Sequence, residues 1–502
     1  MTPTAVIITI AAYIAILFAV AFVSGRNTDN AGYFTGNRRS SWWVAMLAMV
    51  SAAMTGVTFI SIPGSVAASG FSYLQMVIGF IIGYLVIAFV LVPLFYRLKV
   101  TSLYEYLATR FGDSSHLTGA SFFLLSRTLL SALRAYVACT VLQMLIFDRL
   151  GIPFAANAAI FMLLVWLYSH RGGVKTIIWT DTLRTFSLVG SLVLCIVLIA
   201  KSEGLSLSGI ASEVADHPYS KVWFTSDWND SRHLIKQIVA GLFMVVAMTG
   251  LDQDMMQRTL SCRSKSDAQK NLIVAVLLQS VVIALFLILG VLLYIYLDHA
   301  GILASGDGLF PMRDATGSIL IEKADHVVPF VATASGLPIA VGVLFVLGLI
   351  SSTYSAAGSA LTALTTSFTV DLLGGAKKLN DEQLTRKRKQ VNLGMAVALT
   401  ALIILFDKLG NQSIIDTFYS VASYTYGPIL GMFTFGIIFK RRVCDRLMPV
   451  VAITAPLLSF VLDRNSAAWF GGYNFGFEIL VINALITMIG MALISLKNNQ
   501  KQ

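Results

Sequence analysis

The chain has 502 residues, of which 57% are hydrophobic and only 12% charged. Ordinary globular domains carry roughly 25% charged residues, so this composition excludes a soluble enzyme or binding module. The net charge of +10 is scattered over short loops and forms no continuous basic face, which excludes a nucleic-acid binder.

Thirteen apolar stretches account for most of the sequence. About twenty apolar residues cross the hydrocarbon core of a bilayer, and only helices or closed barrels satisfy their backbone there. The runs are too long and too rich in Leu, Ile, Val, Ala and Phe for barrel strands, so they predict helices. In chain order they are 3–25, 41–62, 72–98, 119–147, 153–170, 176–201, 235–257, 269–297, 337–370, 390–408, 414–438, 445–463 and 474–495. The first lacks a basic flank and a clear cleavage site and predicts a retained helix. Cys139 and Cys195 lie in apolar runs, and Cys262 and Cys444 in basic loops, so no extracellular disulfide framework is expected.

Lys and Arg concentrate in alternate loops. One set holds Arg26, Arg38 and Arg39; Arg97, Lys99 and Arg110; Arg171 and Lys175; Arg258, Arg263, Lys265 and Lys270; the run Lys377–Lys389; and Lys440, Arg441, Arg442 and Arg446. The positive-inside rule puts that set in the cytoplasm, with the N-terminus outside and the C-terminus inside. An odd number of spans is then required, and thirteen satisfies it. The outer loops 202–234 and 298–336 are long enough to carry short surface helices. The expectation is an all-α integral membrane protein forming one transport domain over 1–502. It divides into an extra N-terminal helix (3–25), two sets of five spans (41–201 and 235–438) and two C-terminal helices (445–495). The two sets start on opposite sides, which permits an inverted-topology repeat.

Polar groups inside such spans are costly and therefore informative. The segment 49–64 mixes Ser51, Thr55, Gly56, Thr58 and Ser61 and reaches Pro63. Small polar residues permit a helix break with free carbonyls, and they equally permit close helix packing. Arg134 falls near the centre of span 119–147, with Arg127 on about the same face. Its planar fork suits a substrate carboxylate, and a structural pair is the alternative. Asp181 lies early in span 176–201, where it fits either a cation ligand or a local pair with Arg184. Asp252 and Asp254 are expected at the inner end of span 235–257 beside Arg258. In span 337–370, Ser352, Ser355, Ser359, Thr362 and Thr366 make one polar stripe on one helix face. Hard oxygen ligands suit a small hard cation such as sodium, and the same stripe also fits a helix–helix interface.

The segments GYFTGNRR (32–39), TSLYEYLATRF (101–111), GGVKTIIWTD (172–181), DQDMMQR (252–258) and SSTYSAAGSALTALTTSFTVD (351–371) together resemble the sodium:solute symporter family. They occur in family order over most of the chain, and the pattern is most similar to bacterial sialic acid and sugar symporters. The resemblance implies a core of leucine-transporter type, with two inverted five-helix repeats. It also implies a first Na+ site from the backbone oxygens of Ser51, Met54 and Ser352 with the Ser355 hydroxyl. Where many relatives add a second hydroxyl, this chain has Ala356. A second sodium site would use Asp181, Ser355 and Ser359; here Gly358 replaces another family hydroxyl, and Arg184 stands where relatives often have glutamine. The solute would meet Arg134 through its carboxylate, Thr55 and Thr58 from the broken helix, and the aromatic walls Tyr73 and Phe243. Gln75 is a nearby polar candidate, and Val77 aligns with a family glutamine.

The function expected is Na+-coupled import of a small organic solute, a sugar or sugar acid such as sialic acid, in the bacterial cytoplasmic membrane. Lipid and solute are the expected partners, with no nucleic acid and no obligate protein partner. The alternative is a proton-coupled symporter of a small carboxylate, with Asp181 or Asp252 carrying the proton. A channel or a membrane enzyme is a weaker reading. All six histidines fall at span ends or in loops, without metal or nucleophile spacing.

Overall fold

The structure is a computed structural model that describes residues 3–25, 40–98, 102–169, 173–304, 309–314, 316–333, 336–374, 380–409 and 414–495. Of the expected basic loop residues, Arg26, Arg38, Arg39, Lys99, Arg171, Lys377 and Lys378 lie outside the described residues. So do segment 32–39 and the side chains of Lys175 and Ser355.

Every expected apolar stretch is helical. The helices are α1 (Pro3–Gly25), α2 (Trp42–Ala53), α3 (Gly56–Ser69), α4 (Tyr73–Leu98), α5 (Asp113–Phe147), α6 (Phe154–Ser169), α7 (Gly173–Ser202), α8 (Leu234–Gly250) and α9 (Gln253–Leu260). They continue with α10 (Lys265–His299), α11 (Ile339–Leu372), α12 (Asp381–Leu409), α13 (Ile414–Ile438), α14 (Asp445–Arg464) and α15 (Ile479–Leu493). Among the described residues, eight single helices are long and apolar enough to cross a membrane. Two further spans arise if the bent pairs α2–α3 (56°) and α8–α9 (69°) each count as one. Apolar Ile7–Val23 of α1, α6 and α15 are shorter. The chain is therefore an integral membrane protein with eight to ten full-length candidate spans among the described residues, and the expected number of thirteen is not confirmed by this measure.

The first bend comes from two extended residues in succession, Met54 (φ −93°, ψ 109°) and Thr55 (φ −117°, ψ 176°). Neither can continue an α-helix, so the last carbonyls of α2 lose their intrahelical donors. Pro63, which ends the small polar segment, lies inside α3. The second bend was not expected. Asp252 caps α9, its Oδ1 accepting the Met255 amide at 3.1 Å. Asp252 and Asp254 thus open a separate helix past the bend and are buried, and Asp254 pairs with Arg258.

The loop 298–336 carries a small antiparallel sheet, β1 (Leu303–Ala304), β2 (Met312–Arg313) and β3 (Ile319–Ile321), as well as the helix Val327–Thr333. Loop 202–234 carries the expected short helix, Leu207–Asp216. α5 and α11 are buried at the centre, whereas α12 and α14 turn Leu393, Val397, Leu405, Val450, Ile453 and Leu457 outward. Among the closest helix pairings are α7 with α11 and α4 with α8. α7 also packs along α2, which brings its polar residues to the first break.

Candidate functional site

A cavity of about 80 Å³ lies where the first break meets α4, α5, α10 and α13. Met54, Thr55 and Thr58 line it from the break, and the Thr55 amide donates to Thr58 Oγ1 at 3.2 Å. Gly56 permits this approach: a Cβ there would lie 2.5 Å from Thr353 Oγ1 on α11. Arg134 enters from α5, 8% exposed, with its guanidinium 4.7 Å from the centre of the Phe418 ring. Among the described residues it has no carboxylate within 4 Å.

Tyr73 and Tyr419 form the outer wall, their hydroxyls 2.5 Å apart. Both also line a vestibule of about 870 Å³, so this pair separates the two spaces. Gln75 and Phe243 do not line the cavity. The Gln75 amide donates to the Arg232 carbonyl (2.8 Å) and its oxygen accepts the Phe224 amide (3.2 Å), so it pins the outer loop. Phe243 is half-buried on α8, whereas its neighbours Met244 and Val245 line the cavity. Among residues the sequence did not single out, Phe418, Tyr419, Tyr84 and Gln279 complete the wall. The aromatic pair at 418–419 inside an apolar span was the available signal.

Among the described residues, several of the resemblance-derived cation ligands are held by arginines, and the side chain of Ser355 lies outside them. Arg184, fully buried on α7, donates from Nη2 to the carbonyl oxygens of Ser51 and of Met54, the latter at 2.5 Å. The Ser352 hydroxyl donates to the Leu349 carbonyl (2.8 Å). Asp181 faces Arg184 at 3.6 Å and Arg258 at 3.0 Å. Ser359 donates to Asp254 (2.6 Å) and accepts from Arg258. Arg258 also bonds Asp254 at 2.7 Å, Arg127 pairs with Asp252 (3.5 Å) and with Asp254, and Tyr426 donates to Asp252 at 2.5 Å. Arg127, Arg184 and Arg258 thus balance Asp181, Asp252 and Asp254, all buried, and Arg134 stands outside that balance. Among the described residues, no cluster of His, Cys, Asp and Glu could hold a metal ion.

A small cavity walled by a helix break and separated by a tyrosine pair from a larger vestibule, beside a buried ionic network, fits a membrane transporter. The sodium:solute symporter family model matches residues 33–445. The chain belongs to that family, whose members couple solute transport to sodium and are not enzymes. It is 28% identical over 459 residues to the sodium/sialic acid symporter SiaT of Proteus mirabilis, covering 88% of this chain and 87% of that protein. It is 26% identical over 460 residues to the sodium/sialic acid symporter NanT of Aliivibrio fischeri, covering 89% and 86%. Its fold is similar to that of a Na+-coupled sialic acid symporter solved substrate-bound and outward-open, with a TM-score of 0.79, 22% identity and 97% of each chain covered.

Proposed function

We propose that the chain is a sodium-coupled symporter that imports a small carboxylated solute, a sugar acid such as sialic acid, by alternating access across the bacterial inner membrane. Arg134 carries this reading. A buried guanidinium without a carboxylate among the described residues is costly, and a ligand carboxylate in the cavity supplies its partner. Thr55 and Thr58 would meet the solute's hydroxyls, and Tyr73 and Phe418 its apolar faces.

The inverted repeats 41–201 and 235–438 are part of the same reading, with the N-terminus outside. Each repeat begins on a broken helix, α2–α3 and α8–α9, as two halves related by inversion would. The remaining short apolar helices would bring the number of crossings to thirteen.

Uptake into proteoliposomes under an inward sodium gradient tests the proposal. Arg134→Ala is expected to reduce uptake of carboxylated solutes roughly 10- to 100-fold, the worth of a buried charge-assisted hydrogen bond, and Arg134→Lys to reduce it less. Equal loss for neutral sugars would overturn the role of Arg134. A second reading, proton-coupled symport, is favoured by one observation: the carbonyls of Ser51 and Met54 already hold a guanidinium. Uptake driven by a pH gradient without sodium would decide for it.

A further inference from the structure

We propose that Arg184 is a resident cation at the first helix break, so that no sodium ion binds between Ser51, Met54 and α11 in this chain. The inference goes beyond the transport reading and holds whatever the solute is.

The two carbonyls concerned belong to the C-terminal end of α2, where the break leaves oxygens without helical donors and the helix presents partial negative charge. One guanidinium nitrogen reaches both, with the Met54 oxygen at 2.5 Å. A guanidinium keeps its charge at any physiological pH, so neither a proton nor an ion gradient discharges it. Asp181, 3.6 Å away and one turn back on α7, supplies the counter-charge.

On the opposite wall, two positions where the resemblance implies hydroxyls carry none, while Ser355 keeps its hydroxyl and has a side chain outside the described residues. Ala356 has none. At Gly358 the space is taken by Tyr168, whose hydroxyl donates to the Tyr354 carbonyl at 2.5 Å and would overlap a Cβ at position 358. An arginine on α7 and two positions without hydroxyls on α11 fit one arrangement: a tethered cation where the resemblance implies a diffusible one. The neighbouring candidate ligands are occupied in the same manner, since Arg258 holds Asp181 at 3.0 Å and bonds Ser359.

Equilibrium binding of radioactive sodium to the purified chain, without solute, tests this separately from transport. Arg184→Gln is expected to bind one more sodium ion per chain than the wild type, and Arg184→Lys the same number as the wild type. An unchanged count in a monodisperse Arg184→Gln protein would overturn the proposal. The wild-type chain solved in saturating sodium decides independently of any variant. Arg184 is expected to stay on the Ser51 and Met54 carbonyls, and an ion there with Arg184 swung away would refute it. Absence of solute uptake would count against the symporter reading and leave both of these measurements standing.

Discussion

Asp254 lies between two buried arginines, bonded to Arg258 at 2.7 Å and to Arg127 on its other oxygen. Removing one partner of a buried ion pair leaves an uncompensated charge, at a cost of about 3–5 kcal/mol. Asp254→Asn is therefore expected to lower the unfolding midpoint in detergent markedly, with a loss of that size. Asp230→Asn is the contrast. Asp230 sits in the outer loop beside Arg232 (2.8 Å), whose hydrogen bonds hold its carboxyl below the usual carboxylate range, but both groups are partly exposed. A pair in water is worth about 0–1 kcal/mol, so that change should be nearly silent. The same arithmetic bears on Arg184. A second unit charge roughly 4 Å from it would be repelled by about 4 kcal/mol at an effective dielectric of 20, close to a thousandfold in affinity. The sequence marked the break and Arg134, and it offered the Asp181–Arg184 pair as one of two alternatives. It did not disclose that Arg184 reaches back to Ser51 and Met54, 133 and 130 residues earlier, because such a contact exists only once α7 packs along α2.

At the level of the element, the break works only if α3 starts hard against α11. Gly56 sets that distance, since any side chain there would meet Thr353 and Leu349. Gly56→Val is expected to reduce transport at least about tenfold, with the protein still inserted and monodisperse, because overpacking of one to three kcal/mol falls on the segment that moves. Gly190, on α7, has open space where its Cβ would stand. Gly190→Ala should leave transport unchanged and stabilise the protein by about 0.5–1 kcal/mol through helix propensity. Proteoliposome uptake with detergent thermal melts separates the two outcomes. Small polar residues announced the first break within Ser51–Thr58, where two extended residues before Gly56 make the turn, and Pro63 is accommodated inside α3. The second break hid behind Asp252, which reads as a span boundary until its capping role is seen. Gly250 followed two residues later by a capping aspartate was the overlooked signal.

In the whole molecule, one small cavity lies beside a larger vestibule, with a tyrosine pair between them. Hydropathy revealed where the helices lie, because lipid demands long apolar runs; it did not reveal which aromatic residues close the cavity, since tyrosines inside a span read like any other core side chain. Tyr73 on α4 and Tyr419 on α13 stand between the cavity and the vestibule, joined by one hydrogen bond. A net hydrogen bond contributes about 1 kcal/mol, so its loss shifts the balance between outward-closed and outward-open forms about fivefold. Thr58 lines the cavity behind this pair and supplies a reporter position. Cys139, Cys195 and Cys262 are buried and only Cys444 is half-buried, so a Cys444→Ser background leaves few competing thiols. In that background, Thr58→Cys should react slowly with a membrane-impermeant thiol reagent applied from outside. Adding Tyr73→Phe should raise the rate about fivefold, and Tyr419→Phe should do the same, because either change removes the same bond. The double change should then add nothing beyond either single one. Rates that multiply, or that do not rise at all, would show that closure depends on other contacts, and the tyrosine pair would lose its place as the outer gate.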